Sequence, residues 1–196
     1  MADRNKTPVQ TLLSTVRQQS WQREYAGIAY NDSFVGEAER PQCGAPRRSV
    51  RMIMDVVEIQ KYLPHRYPFL MVDGILEIER LKRVVGIKNV TATESHFQGH
   101  FPGQPVMPGV LIIEAMAQTA AVLVVHTLGP EAEGKLVYFM SVDNARFRRP
   151  VFPGDRLDVQ VVKQRNRGNV WKFEGRAKVG DNLAAEAVFA AMILDE

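Results

Sequence analysis

The chain has 196 residues, 45% of them hydrophobic and 24% charged, enough for one domain with a real core and at most a small appendage. Its formal charge of +3 suits a nucleic-acid binder only superficially. Residues 1–53 hold eight Lys/Arg and five Asp/Glu, whereas residues 54–196 hold seventeen of each, so the body lacks the net basic surface that nucleic-acid binding needs. The single cysteine, Cys43, excludes an internal disulfide framework and a cysteine-rich zinc site.

Residues 1–53 read as a flexible N-terminal extension. "GEAERPQCGAPRRS" (residues 36–49) is dense in Pro, Gly and charge and has no sustained period. Residues 7–25 could form a weak helix. Acids scattered through the segment make a poor mitochondrial presequence, and no charged run leads into an apolar core as in a secretory signal. Together with the lone cysteine, this suits a reducing cytoplasm. Met52 and Met54 stand just before the first organised segment, so the extension fits an overextended gene start.

From residue 54 the pattern tightens into one domain, 54–196. Val56, Ile59 and Leu63 recur at helical spacing until Pro64 stops them. Two strands are expected over residues 70–79 and 82–91 from their alternation and β-branched content. A Gly- and Pro-rich loop follows, over residues 96–107. Pro108 suits the first position of a helix that runs to about His126, with Gly129-Pro130 as its stop. Residues 110–125 fall short of the ~18 apolar residues of a membrane span and carry Glu114, Gln118 and Thr119. The remainder reads as four strands, "LVYFMSVDNARF", "RLDVQVVKQR", "VWKFEGRAKV" and "AAEAVFAAMIL", with "RNRGN" and "GDN" as hairpins. The fold class is therefore α+β: one long apolar helix wrapped by a curved antiparallel sheet. A helix apolar nearly all round must be covered on most sides, and the open sheet edges call for a second copy, at least a homodimer.

Glu114 is the anomaly in that helix. A buried carboxylate without partners costs several kcal/mol, so it reaches a cavity, holds a proton as a general acid, or pairs with an arginine at a subunit contact. Gln118, at i+4, shares its face and can hydrogen-bond it. His100, in the loop "GHFPG", is either a general base or a structural loop histidine. His65 in "PHRYP" reads as a turn residue, and His126 as a complement to the helix dipole. His96 and His100 have a spacing found in metal sites, but no helix carries them and no cysteine assists. Gly109 opens the helix, where N–H groups lack intrahelical acceptors and the dipole is positive. A ligand oxygen can approach a glycine there closely. Base, acid and oxyanion donor together fit β-elimination next to a carbonyl.

"LPHRYPFLMVD", "GHFPGQPVMPGVLIIEAMAQ", "VYFMSVDNARFRRPVFPGD" and "AEAVFAAMI" resemble, in order, the Z-type (3R)-3-hydroxyacyl-acyl-carrier-protein dehydratases of bacterial type II fatty-acid synthesis. The resemblance runs from about Met54 to the C-terminus and implies a hot-dog fold. It implies His100 as catalytic histidine and Glu114 as catalytic acid, supplied by different subunits of a dimer, with dimers joined as a hexamer, a trimer of dimers. It further implies that the Gly109 N–H binds the thioester carbonyl and that Tyr138 gates the acyl tunnel. No metal or organic cofactor and no membrane insertion are expected. The substrate would arrive on the phosphopantetheine arm of acyl carrier protein. The related A-type enzymes, which also isomerise the double bond, carry Asp at the acid position, so Glu114 favours dehydration alone.

Phe101, Met116 and Phe147 are candidates to line the tunnel. Arg146, Arg148, Arg149, Lys163, Arg165 and Arg167 are either a docking patch for the acidic carrier or a solvated strand face. A hot-dog thioesterase, with Glu114 activating water, and a non-catalytic acyl-binding regulator are the rival readings. Neither needs His100, Gly109 and Glu114 together.

Overall fold

A computed structural model describes residues 52–194. The expected extension lies outside the described residues apart from Met52 and Ile53. Strand β1 (Met54–Asp55) leads into helix α1 (Val56–Tyr62), followed by β2 (Gly74–Glu79) and β3 (Arg83–Asn89). A 3-10 turn (Ser95–Gln98) and the Gly/Pro loop precede the long helix α2 (Gly109–Leu128). After it come β4 (Val137–Phe147), β5 (Arg156–Arg167), β6 (Val170–Val179) and β7 (Asn182–Ile193). The strands form one antiparallel sheet in the order β1-β2-β3-β5-β6-β7-β4. α2 lies against its inner face, the wrapped-helix arrangement expected above.

The strands obey their alternation. Leu157, Val159 and Val161 of β5, Trp171, Phe173 and Ala177 of β6, and Ala185, Ala187 and Phe189 of β7 are all buried under α2, each large side chain contributing roughly 1.5–3 kcal/mol. Two glycines set the approach of the helix. A Cβ at Gly175 would stand 2.7 Å from Met116 Sδ, and one at Gly86 would stand 2.9 Å from Thr119 Oγ1. The hydroxyls of Thr119 and Thr127 donate to Ala115 O and Leu123 O, each at 2.7 Å, which satisfies these two buried groups within the helix itself. By length and composition α2 could cross a membrane, but most of it is buried within the domain.

Several boundaries differ from expectation: β3 is confined to Arg83–Asn89, and β5 runs on to Arg167, leaving only Gly168-Asn169 of the expected hairpin as turn. Pro108 is the N-cap of α2, with extended ψ of 128°, rather than its first helical residue. The helix runs two residues past His126, until Gly129 at φ 94° ends it. The first of the two expected strands, β2, begins at Gly74 rather than residue 70; the Gln118 amide holds the preceding chain by Met71 N and Phe69 O.

β4 is an edge strand, at the opposite side of the sheet from β1. It exposes Tyr138, Phe139, Met140 and Val142, a long apolar edge of the kind that pairs with another chain. Register shifts interrupt its pairing with β7 between Phe139 and Ser141 and between Asp143 and Arg146. Asn144 takes φ 53° there, a left-handed turn that asparagine tolerates.

Candidate active site

His100 is held by the loop that the sequence marks with Gly and Pro. Its N–H donates to His96 O at 3.0 Å, and Val106 N returns a bond to His100 O at 3.1 Å. Ring Nδ1 lies 2.7 Å from Val106 O. A carbonyl only accepts, so Nδ1 carries the hydrogen and Nε2 of the neutral ring keeps its lone pair for a base's work. The ring stacks on Phe101, centroids 4.0 Å apart, and the His100–Phe101 peptide is cis. His100 opens onto a groove of about 520 Å³ that Gly109, Val110, Phe147 and Arg149 also line. Gly109 is required by close approach: a Cβ would fall 2.6 Å from Phe147 Cε1. Its N–H, at the first turn of α2, has no intrahelical acceptor.

Glu114 lies one and a half turns further along α2, in a separate pocket of about 30 Å³ lined by His65, Gln118, Val137, Phe139 and Ala191. Its side chain is only 15% exposed. Gln118 Nε2 donates to Glu114 Oε1 at 2.7 Å, the i,i+4 bond expected from spacing. Among the described residues of one chain, no arginine pairs with it. The second neighbour is His65, whose Nε2 is 3.7 Å from the same oxygen. Burial, opposed by Glu114 and aided by Arg66, holds the His65 pKa below its ordinary value. Sequence reasoning left His65 as a turn residue. It had no periodic signal to give, because its place depends on the loop fold: the Arg66 guanidinium bonds Leu63 O at 2.8 Å, His65 O at 2.7 Å and Gln60 O at 3.1 Å, and the imidazole stacks on Phe69.

Within one chain, then, His100 and Gly109 share one pocket and Glu114 occupies another, with no lining residue in common. Phe147 lines the His100 groove, and Phe101 and Tyr138 are exposed. Met116 is fully buried against Gly175 and lines neither pocket. The six cations do not form one cluster. Arg146 and Arg148 both pair with Glu186, at 3.8 and 2.5 Å. Arg149, at the groove, has no acidic partner among the described residues. Lys163 lies over Trp171, and Arg165 and Arg167 line an outer-face pocket with Lys172 at the other end of the sheet.

Residues 63–188 match the FabA-like domain family. The chain is 62% identical over 155 residues to the 3-hydroxyacyl-acyl-carrier-protein dehydratase FabZ of Rhodospirillum rubrum, covering 79% of this chain and 97% of that relative. It is 58% identical to the enzyme of that name from Granulibacter bethesdensis, over 83% of this chain and 94% of the relative. Among solved structures, a dehydratase heterocomplex, ApeI:P, from Xenorhabdus doucetiae shares the fold at TM-score 0.59 and 18% identity, covering 70% of this chain and 91% of that one. Matched by its motifs, its wrapped helix and relatives close to 60% identical along nearly their whole length, the chain belongs to the FabA-like family, in its FabZ branch.

Proposed function

We propose that the chain removes water from (3R)-3-hydroxyacyl groups on acyl carrier protein, giving trans-2-enoyl thioesters for fatty-acid elongation, at a centre that takes His100 from one subunit and Glu114 from the next. The observation that carries the two-subunit reading is the separation of base and acid into different pockets of one chain. The free edge of β4 says how a second copy would unite them. Its Phe147 end borders the His100 groove, and its Val137 end borders the Glu114 pocket. Antiparallel pairing of β4 with its counterpart about a two-fold axis would lay each end beside the other. Dimers then assembling as a trimer of dimers, in the cytoplasm, follow from the resemblance.

His100 Nε2 takes the C2 proton of the thioester. Charge gathers on the thioester oxygen, where the Gly109 N–H and the positive end of α2 receive it. The C3–O bond breaks as Glu114 gives a proton to the hydroxyl, and water leaves. The enzyme is left with a protonated His100 and an ionised Glu114, which exchange with solvent before the next turnover. The glutamate, in place of the A-type aspartate, accords with a reaction that stops at the trans-2-enoyl product. Arg149 is the cation placed to meet the carrier or its phosphopantetheine phosphate, since Arg146 and Arg148 are already engaged by Glu186.

The test is turnover of a 3-hydroxyacyl carrier protein followed by ultraviolet absorbance of the conjugated enoyl thioester. Enoyl product from the parent protein, lost in folded His100→Ala and Glu114→Gln, is expected. Free thiol without enoyl product would instead assign a thioesterase.

A further inference from the structure

Gln118 is 1% exposed, and its amide is fully engaged. Oε1 accepts from Met71 N at 2.7 Å, and Nε2 donates to Phe69 O at 2.8 Å and to Glu114 Oε1 at 2.7 Å. Which end of a glutamine amide is nitrogen is ordinarily a matter of choosing between two similar shapes. Here the backbone decides. Met71 N–H only donates and Phe69 O only accepts, so a flipped amide would set donor against donor and acceptor against acceptor. The second hydrogen of Nε2 is therefore forced toward Glu114. An oxygen facing that N–H is an acceptor and is not the one carrying the acidic hydrogen. His65 Nε2 approaches the same Oε1, at 3.7 Å. Both neighbours address one oxygen, and no side chain among the described residues is hydrogen-bonded to the other, Oε2.

We infer that Gln118 is a positioning residue that selects the working oxygen of Glu114: Oε1 is the anchored acceptor, and Oε2 carries the proton to the leaving hydroxyl. The inference rests on the reading of Glu114 as the acid. The loop through Phe69–Met71 and the Glu114 carboxyl thereby share one amide. The two loop bonds alone would serve to tie the loop. The third bond does nothing for the loop, and its effect falls on the carboxyl.

A merely structural glutamine and a positioning one differ in what they affect. Deprotonation at C2 by His100 is common to every substrate of this type. A proton from Glu114 is needed only when the leaving group is poor. A 3-chloroacyl thioester loses chloride, which departs without a proton. The experiment compares kcat/KM for the 3-hydroxyacyl and the 3-chloroacyl carrier substrates in the parent, Gln118→Met and Glu114→Gln, with thermal melts as the check on folding. Methionine keeps the length and much of the buried volume but donates nothing.

Gln118→Met is expected to lower the hydroxy reaction ~100-fold, the scale of a misplaced catalytic group, while sparing the chloro reaction within about twofold. Equal loss on both substrates would overturn the positioning role. If Glu114→Gln itself loses both reactions equally, or neither, the acid reading fails, and that result is independent of Gln118. Should Gln118→Met lose its cooperative melt, Gln118→Asn, which keeps an amide one methylene short, is put through the same comparison and judged by the same ratio.

Discussion

The two pockets along α2 are built differently. The His100 groove is wide and supported by backbone: a Gly/Pro loop, a ring nitrogen bonded to Val106 O and the bare first turn of a helix. The Glu114 pocket is small and supported by side chains, with Gln118 and His65 both reaching Oε1. On the proposed reading, the base that must meet a bulky, moving substrate sits where access is wide, and the acid that must be held in an apolar helix sits where donors are dense. Each pocket would then hold one half of an elimination.

The largest expected effect breaks that division directly. His100→Ala and Glu114→Gln each lower kcat by ~10²–10⁴, yet mixed oligomers of the two variants recover part of the activity, because one centre per mixed dimer keeps both intact groups. Enoyl absorbance after co-refolding reads this out, and mixtures as inactive as either parent variant would sink the composite centre. Next comes Gly109→Ala. Its methyl meets the Phe147 ring and shifts the oxyanion donor, lowering kcat ~10–100-fold. Phe147→Ala in the same chain is expected to restore much of the loss, and a single variant with unchanged kcat would show that the close approach does not matter.

A smaller effect sharpens the contrast between free and engaged cations. Arg149→Glu should raise KM for the carrier-linked substrate roughly tenfold, an effect of ~1.4 kcal/mol, and leave a short pantetheine thioester unaffected if the contact is with the carrier surface. Arg148→Glu, already neutralised by Glu186, should do less. Equal changes for both would remove the distinction.

The smallest effect is on stability. Burial is the first cause of the lowered pKa of both His65 and His96, opposed by Glu114 and Glu94 respectively. Both residues are only partly buried, and the unfolded chain takes up their protons first as pH falls. The stability they support is therefore full above the ordinary value of 6.5 and is lost as pH drops through the folded values. Thermal melts from pH 7.5 to 5.5 should decline, with a shallower slope in His65→Phe. An unchanged slope would remove His65 from the account.

Much of this was legible in order along the chain. β6 begins and ends where alternation of Trp171, Phe173, Gly175 and Ala177 places it, because period-2 burial is a local property. Glu114 stood out because a carboxyl in an apolar run conflicts with its surroundings, and Gln118 followed from helical geometry. His65 was missed because its contact spans a loop, from a position with no period. The helical position of Met116 was readable, but not that Gly175 would receive its side chain.

By itself the sequence determined the element order, the inward face of most strands and the candidates His100, Glu114 and Gly109, since these follow from periodicity and from groups out of keeping with their neighbours. Only the tertiary structure decided that His100 and Glu114 lie in separate pockets, that six cations divide between two ends of the sheet, and that the Gln118 amide ties the Phe69–Met71 loop to one oxygen of Glu114. Those facts depend on which distant segments meet, and spacing along a chain carries no record of distances across it.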